Sequence, residues 1–107
     1  MTEATILAIL SSAGIELPEG ILIRRMEVIF GQRPNRGAIH NTLQSMAEKC
    51  LVARLDRERI DSDYALGMGP RNVSAYTLMG PGEDALVAWI EAIDRIVATA
   101  REGVSRG

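Results

Sequence analysis

The sequence is poor in the residues that most often carry chemistry. Its 107 residues include one cysteine, Cys50, and one histidine, His40. A single cysteine excludes an intramolecular disulfide and a site with several thiolate ligands. So few nucleophiles and metal ligands leave little for nucleophilic or metal-assisted catalysis. We therefore expect a protein that is not an enzyme and that needs no metal and no cofactor.

Aromatic residues and long apolar runs are also scarce. Only Phe30, Tyr64, Tyr76 and Trp89 are aromatic, yet 47% of the residues are hydrophobic. The chain is therefore expected to fold around one mainly aliphatic core. No apolar run approaches the length of a membrane span, and the N-terminus lacks the residue order of a signal peptide. These absences favour a cytoplasmic protein without a membrane partner.

Charge is almost balanced overall but uneven along the chain. The formal net charge is −2, which gives no global indication of binding to nucleic acid or to an anionic membrane. Residues 20–60 hold eight basic and four acidic side chains, residues 1–19 hold three acidic ones, and residues 61–107 hold four basic and seven acidic ones. The basic middle segment between two acidic ends weakly indicates that charge is separated on the folded molecule.

The spacing of apolar residues predicts two helices in the first third of the chain. The first covers residues 2–12, with Thr2 as its N-cap. The second begins near Pro18, which suits a first helical turn, and ends at Gly31. Its buried side is expected to consist of three apolar residues at helical spacing, namely Leu22, Met26 and Ile29.

A third helix is predicted to begin after the N-cap Asn35 and to end near Lys49. Two strands are predicted at 51–57 and 72–78, with a glycine-containing loop between them, and GPG at 80–82 is expected to precede a long helix over about 83–101. This order of elements predicts a mainly α (α+β) fold, a winged helix-turn-helix with a long C-terminal dimerisation helix. The expected division is a winged-helix DNA-binding domain at 1–79 and the dimerisation helix at 80–107, within one compact domain overall.

Three stretches of the chain match one family pattern in the right order. They are EGILI at 19–23, RGAIHNTLQSMAEKCLV at 36–52 and YTLMGPGEDALVAW at 76–89. Together they resemble the PadR-like family of winged helix-turn-helix transcriptional regulators. The resemblance implies a homodimeric repressor that binds double-stranded operator DNA, with its third helix in the major groove.

The sequence also departs from the family pattern. His40 replaces a tyrosine of the recognition helix, and Cys50 stands where a glycine usually closes that helix. A cysteine in a left-handed conformation costs roughly 1–2 kcal/mol, so we expect this helix to end differently from its relatives. Residues 73–75, where the family usually has basic side chains, are uncharged, which leaves phosphate contacts from the wing open.

The polar side of the third helix is the predicted DNA-binding surface. Its positive N-terminus suits a phosphate, and arginine and carboxamide side chains pair with the edges of guanine and adenine. Arginines near this helix and on the wing would hold the DNA backbone. The predicted DNA-binding residues are Arg33, Asn35, Arg36, His40, Asn41, Gln44, Arg54, Arg57, Arg59 and Arg71. A merely solvated polar face is the alternative.

The last helix carries an apolar band whose residues step by four and three, as in a coiled coil. The band is broader than intramolecular packing requires, which favours a dimer over a helix that only covers its own core. The resemblance implies that the first helix of the partner packs against this helix, so the predicted interface also includes two residues of the first helix. It comprises Ile6, Leu10, Leu86, Trp89, Ile90, Ile93, Ile96 and Val97. The resemblance further implies a small-molecule effector at the dimer interface as an option. A winged-helix protein–protein interaction module that has lost DNA binding is the alternative function.

Overall fold

The described residues form four helices and a small three-stranded antiparallel sheet. The computed structural model describes residues 1–59 and 71–106, and the side chains of residues 1–56 and 74–106. The elements in chain order are α1 (Thr2–Ala13), β1 (Leu17–Pro18), α2 (Glu19–Phe30), α3 (Arg36–Glu48), β2 (Val52–Arg59), β3 (Arg71–Leu78) and α4 (Gly80–Arg106). The sheet order is β1-β3-β2. This is a winged helix with a long C-terminal helix, which confirms the predicted fold class. The predicted loop after β2 lies outside the described residues.

The core lies between the first three helices and the sheet. Leu22 and Met26 of α2 are fully buried, and so are Leu43 and Met46 of α3. These residues recur at helical spacing, so each helix turns one apolar side inward. Ile29 was predicted to continue the buried side of α2, but that prediction is wrong. Its side chain is 58% exposed, because the last turn of α2 borders an open groove beside α1.

Two other local predictions need correction, and one strand was missed. Helix α1 begins at Thr2, so the N-cap is Met1 and Thr2 does not cap it. The two-residue strand β1, which pairs with β3 at Tyr76 and Ala75, was not predicted. The GPG segment begins α4 rather than preceding it. Proline is tolerated there because the first-turn N–H groups of a helix have no intrahelical partner.

The end of α3 contains the one residue other than glycine with a positive φ among the described residues. Cys50 has φ 62°. The N–H of Leu51 donates to the carbonyl of Met46, and the N–H of Cys50 donates to that of Ala47, each at 3.0 Å. This pair of hydrogen bonds is the Schellman motif, which normally has glycine at the left-handed position. We expected cysteine here to change how the helix ends, but that prediction is wrong. The helix ends in the motif typical of glycine, with Cys50 strained in the left-handed conformation.

Replacing Cys50 with glycine is expected to stabilise the protein. Glycine adopts the left-handed conformation without a Cβ clash, so Cys50→Gly should raise the free energy of unfolding by about 1 kcal/mol. Urea denaturation measures this change. Cys50→Ala is the matched control, because it removes the thiol but keeps the Cβ atom. Equal stability of the two variants would contradict strain as the cause.

Helix α4 extends well beyond the core. Its 27 residues correspond to about 40 Å, and the whole molecule measures 61 × 28 × 23 Å. The radius of gyration is 16.9 Å, whereas a compact domain of this size has about 13 Å. Near its start, Ala85 and Leu86 pack against the core. Among the described residues, no helix is both long enough and apolar enough to cross a membrane.

Candidate nucleic-acid interface

Helix α3 presents a polar side to solvent because its apolar side is fixed in the core. Its start is set by Asn35, whose Oδ1 accepts a hydrogen bond from the N–H of Ala38 at 2.9 Å; the predicted N-cap is confirmed. On the solvent side, Arg36, Asn41 and Gln44 are all exposed. These three side chains, which form directed hydrogen bonds, are therefore accessible to a partner.

His40 has a partner that no local sequence pattern indicates. Its Nδ1 lies 3.3 Å from Oε2 of Glu19, at the start of α2. The imidazole side chain is 42% exposed and the carboxylate 19%, so the ring faces outward and Glu19 lies behind it. Because these residues are 21 positions apart and on different helices, no periodicity could have paired them.

The start of α2 also lies close to Arg36. A Cβ atom at Gly20 would come within 3.9 Å of the Arg36 Nη2 atom, so this guanidinium lies over the first turn of α2. Arg33, in the connection between α2 and α3, is exposed. The two arginines therefore flank the N-terminus of α3, which is the positive end of that helix.

Arg54 of the wing is partly paired with a carboxylate. Arg54 Nε lies 3.3 Å from Asp56 Oδ1, and the Ser74 hydroxyl donates to the same carboxylate oxygen at 3.1 Å. The charge of Arg54 is therefore partly compensated within the wing. The side chains of the other predicted wing residues, Arg57, Arg59 and Arg71, lie outside the described residues.

Tyr76 of β3 is fully buried, yet its hydroxyl has no hydrogen-bond partner among the described residues. Burial raises the pKa of Tyr76 above its ordinary value of 10.0, and the charges of Glu19 and Asp56 raise it further, while that of Arg54 lowers it. The Glu19 carboxylate is thus close enough to both His40 and Tyr76 to interact with each.

The pKa of Tyr76 predicts a loss of stability in alkali. Above pH 10 the unfolded chain releases the phenol proton while the folded chain retains it, so the free energy of unfolding falls as pH rises towards the higher folded pKa. Tyr76→Phe should remove this contribution. At pH 8 the variant should be at least as stable as the parent, because the lost hydroxyl has no partner. Urea denaturation at pH 8 and about pH 10.5 tests this; an unchanged pH dependence would contradict it.

A second surface of the molecule is apolar and lies on α4. The exposed hydrophobic side chains of this helix are Val87, Trp89, Ile90, Ile96, Val97 and Val104. Ile93 is half-buried and Leu86 packs against the chain's own core. Most of the predicted interface residues of α4 are therefore accessible to a partner, whereas Leu86 is mainly occupied within the chain.

The predicted interface residues of α1 require a correction. Ile6 is 0% and Leu10 2% exposed, because both side chains point into the chain's own core, so neither offers surface to a partner. The outer side of α1 instead presents Ala8 and Ser12. They line a groove of about 350 Å³ that is closed on its other side by Arg25, Val28 and Ile29 of α2. Helical spacing alone could not distinguish these two sides of α1.

The described part of the chain contains no group of three or more His, Cys, Asp or Glu side chains arranged to hold a metal ion. Cys50 is exposed and forms no disulfide.

Solved structures share this architecture. TA0346 from Thermoplasma acidophilum, which is named as a transcriptional regulator, superposes with a TM-score of 0.68 and 18% identity over 96% of this chain and 90% of its own. RosR from H. salinarum superposes with a TM-score of 0.64 and 18% identity, over 99% of this chain and 94% of its own. The protein chain of the hsRosR-S4 complex superposes with a TM-score of 0.62 and 20% identity, over 95% of this chain and 89% of its own. No family model and no curated protein matches the sequence. At these identities the likeness establishes the winged-helix fold alone.

Proposed function

We propose that this protein is a sequence-specific DNA-binding transcriptional regulator that inserts α3 into the major groove. The observation that carries the proposal is the exposure of Arg36, Asn41 and Gln44 along the first three turns of α3. Arginine can donate two hydrogen bonds to guanine, and a carboxamide can pair with adenine. The winged-helix fold supports the proposal, since helix-turn-helix folds present this helix to DNA.

Phosphate contacts are proposed for the residues around the exposed side chains of α3 that would contact the bases. Arg33 and the capped N-terminus of α3 lie at one end of this group, where a phosphate would meet positive partial charge and free N–H groups. Arg54, Arg57, Arg59 and Arg71 remain the candidates on the wing. Asp56 beside Arg54 reduces the attraction there, so we expect α3 and its N-terminus to contribute more of the affinity than the wing does.

The proposed regulator is a homodimer joined through α4. The exposed band of α4, represented by Ile90, Ile96 and Val97, would be covered by a second copy. The partner's helix would also fit the groove between α1 and α2, whose lining includes the exposed Val28 and Ile29. A two-fold dimer would present two α3 helices to half-sites about 34 Å apart, one turn of DNA.

The finer assignment is a PadR-like repressor, which rests on the three sequence stretches described above. An effector, if the protein responds to one, is proposed to be a planar small molecule at the dimer interface. Trp89 supports that class, because its indole is partly exposed on the same apolar band and could stack on an aromatic ring.

Fluorescence anisotropy with DNA from upstream of the protein's own gene tests the proposal. A random duplex of equal length is the control, and the salt concentration is varied. We expect tighter binding to the upstream duplex, resistance to competitor DNA and a steep fall in affinity with salt. Selection from a random duplex library identifies a binding site that does not lie upstream of the protein's own gene. Equal, weak binding to every duplex would favour the alternative, an interaction module without a DNA site.

A further inference from the structure

The contact between His40 and Glu19 constrains the imidazole chemically. A carboxylate only accepts hydrogen bonds, so the nitrogen that faces it must carry the proton. That nitrogen is Nδ1, at 3.3 Å from Glu19 Oε2. In the neutral ring the other nitrogen, Nε2, is then an acceptor without a proton. Glu19 thus determines what the exposed side of the ring can bind.

His40 lies on the surface that the proposed function assigns to base reading. It follows Arg36 by one helical turn and precedes Asn41 and Gln44, and its ring is 42% exposed. In the major groove, cytosine N4 and adenine N6 are hydrogen-bond donors, whereas guanine N7 and O6 and thymine O4 are acceptors. An Nε2 acceptor can therefore pair with the amino group of cytosine or adenine, but not with the acceptors of guanine or thymine.

We infer that Glu19 is a positioning residue that fixes the Nδ1–H tautomer of His40, so that Nε2 selects a cytosine or adenine amino group. The selection of a base by Nε2 rests on the proposed DNA binding. The tautomer of His40 is independent of DNA binding. Glu19 would act through His40, without touching the DNA itself. The arrangement gives the chain a base-reading group where the family pattern has a tyrosine.

Other charged and titratable groups surround this pair. Arg36 lies one turn earlier on α3, and its guanidinium reaches the first turn of α2 beside Glu19. Behind Glu19 lies Tyr76 of β3, and its neighbours on β2 are Arg54 and Asp56. Of these groups, the Glu19 carboxylate is the one in hydrogen-bond contact with the ring, which is why the tautomer is assigned to it.

The tautomer can be measured without DNA. Because His40 is the only histidine, a long-range ¹H–¹⁵N correlation spectrum of the labelled protein at about pH 8, where imidazole is ordinarily neutral, shows one ring. We expect a protonated Nδ1 and an unprotonated Nε2 in the parent protein, and a loss of this preference in Glu19→Ala. Glu27→Ala, which removes a carboxylate from the exposed side of the same helix, should leave the spectrum unchanged. A protonated Nε2 in the parent would overturn the inference.

The base preference is measured on the best-binding duplex by exchanging each base pair in turn at the same pH. One position should prefer cytosine or adenine by about fivefold, the value of one hydrogen bond. Glu19→Ala and His40→Ala should both abolish that preference, while Glu27→Ala keeps it. An Nδ1–H tautomer together with identical base preferences in the parent and Glu19→Ala would overturn the reading role. Absence of binding to any duplex would overturn the proposed function and the reading role together, and the spectrum would still decide the tautomer.

Discussion

Val97→Asp is expected to convert the protein from a dimer into a monomer. Val97 is 40% exposed on α4, within the apolar band that the proposed dimer covers. Two-fold symmetry would place two new carboxylates in the interface. Enclosing a charge without a partner costs several kcal/mol, so the dimer dissociation constant should rise roughly 100-fold or more, on the order of 3 kcal/mol. Sedimentation equilibrium over a range of protein concentrations measures the shift.

Ala98→Asp is the matched control for this experiment. Ala98 is the next residue of α4 and is exposed, but it lies about 100° further around the helix than Val97, away from Ile90 and Ile96. This variant should remain a dimer, and circular dichroism should show unchanged helix content in both variants. A parent protein that is monomeric at about 100 µM, a concentration at which even a weak dimer of micromolar affinity is saturated, would contradict the proposed interface.

Gly82→Ala is expected to be severely destabilising. Gly82 is buried in the first turn of α4, where an added Cβ atom would overlap the backbone carbonyl oxygen of Leu51 and come within 2.9 Å of Leu78 Cδ1. The Leu51 carbonyl cannot move freely, because it accepts a hydrogen bond from the N–H of Met79 at 3.0 Å. Overpacking against fixed backbone should lower the free energy of unfolding by about 3 kcal/mol.

Gly80→Ala provides the comparison for Gly82→Ala. Gly80 also lies in the first turn of α4, but its Cβ position has no atom within 4 Å. Its substitution should change stability by less than about 1 kcal/mol. Thermal or urea unfolding of the two variants distinguishes a clash of the added Cβ atom at Gly82 from a general effect of alanine at the start of the helix. Similar stabilities for both would contradict the close packing at Gly82.

Helix α3 could be predicted because all of its determinants are local. Asn35 is a preferred N-cap residue, and Ile39, Leu43 and Met46 recur at helical spacing. The structure buries these three side chains and exposes Asn41 on the opposite side. Capping and amphipathicity act within a few residues of one another, so a single sequence contains the information needed.

Other features depend on contacts that no local pattern records. Strand β1 has two residues, too few for alternation, and exists because β3 pairs with it. Ile29 follows Leu22 by seven residues and thus shares its side of α2, but the core does not extend as far as Ile29. Spacing likewise could not decide that Ile6 and Leu10 face the chain's own core. Periodicity identifies an apolar side of a helix without identifying what covers it.

The contact of Glu19 with His40 shows the same limit at the candidate site. The sequence identified His40 as an exposed member of α3, but the partner comes from another helix. Tertiary packing brings them together, since α2 and α3 cross in the helix-turn-helix. The fold was therefore largely predictable, while the hydrogen-bonding state of a site residue required the structure.

The central claim is that the polar side of α3 binds DNA, and Arg36→Ala tests it most directly. Anisotropy is measured for the parent, Arg36→Ala and Arg95→Ala on the upstream or selected duplex and on a random one. Arg95→Ala removes the same charge from an exposed position on α4. We predict that Arg36→Ala weakens specific binding by about 10- to 100-fold, or 1–3 kcal/mol, while Arg95→Ala binds like the parent. Equal affinities for all three proteins, or equal losses in both variants, would contradict recognition through α3.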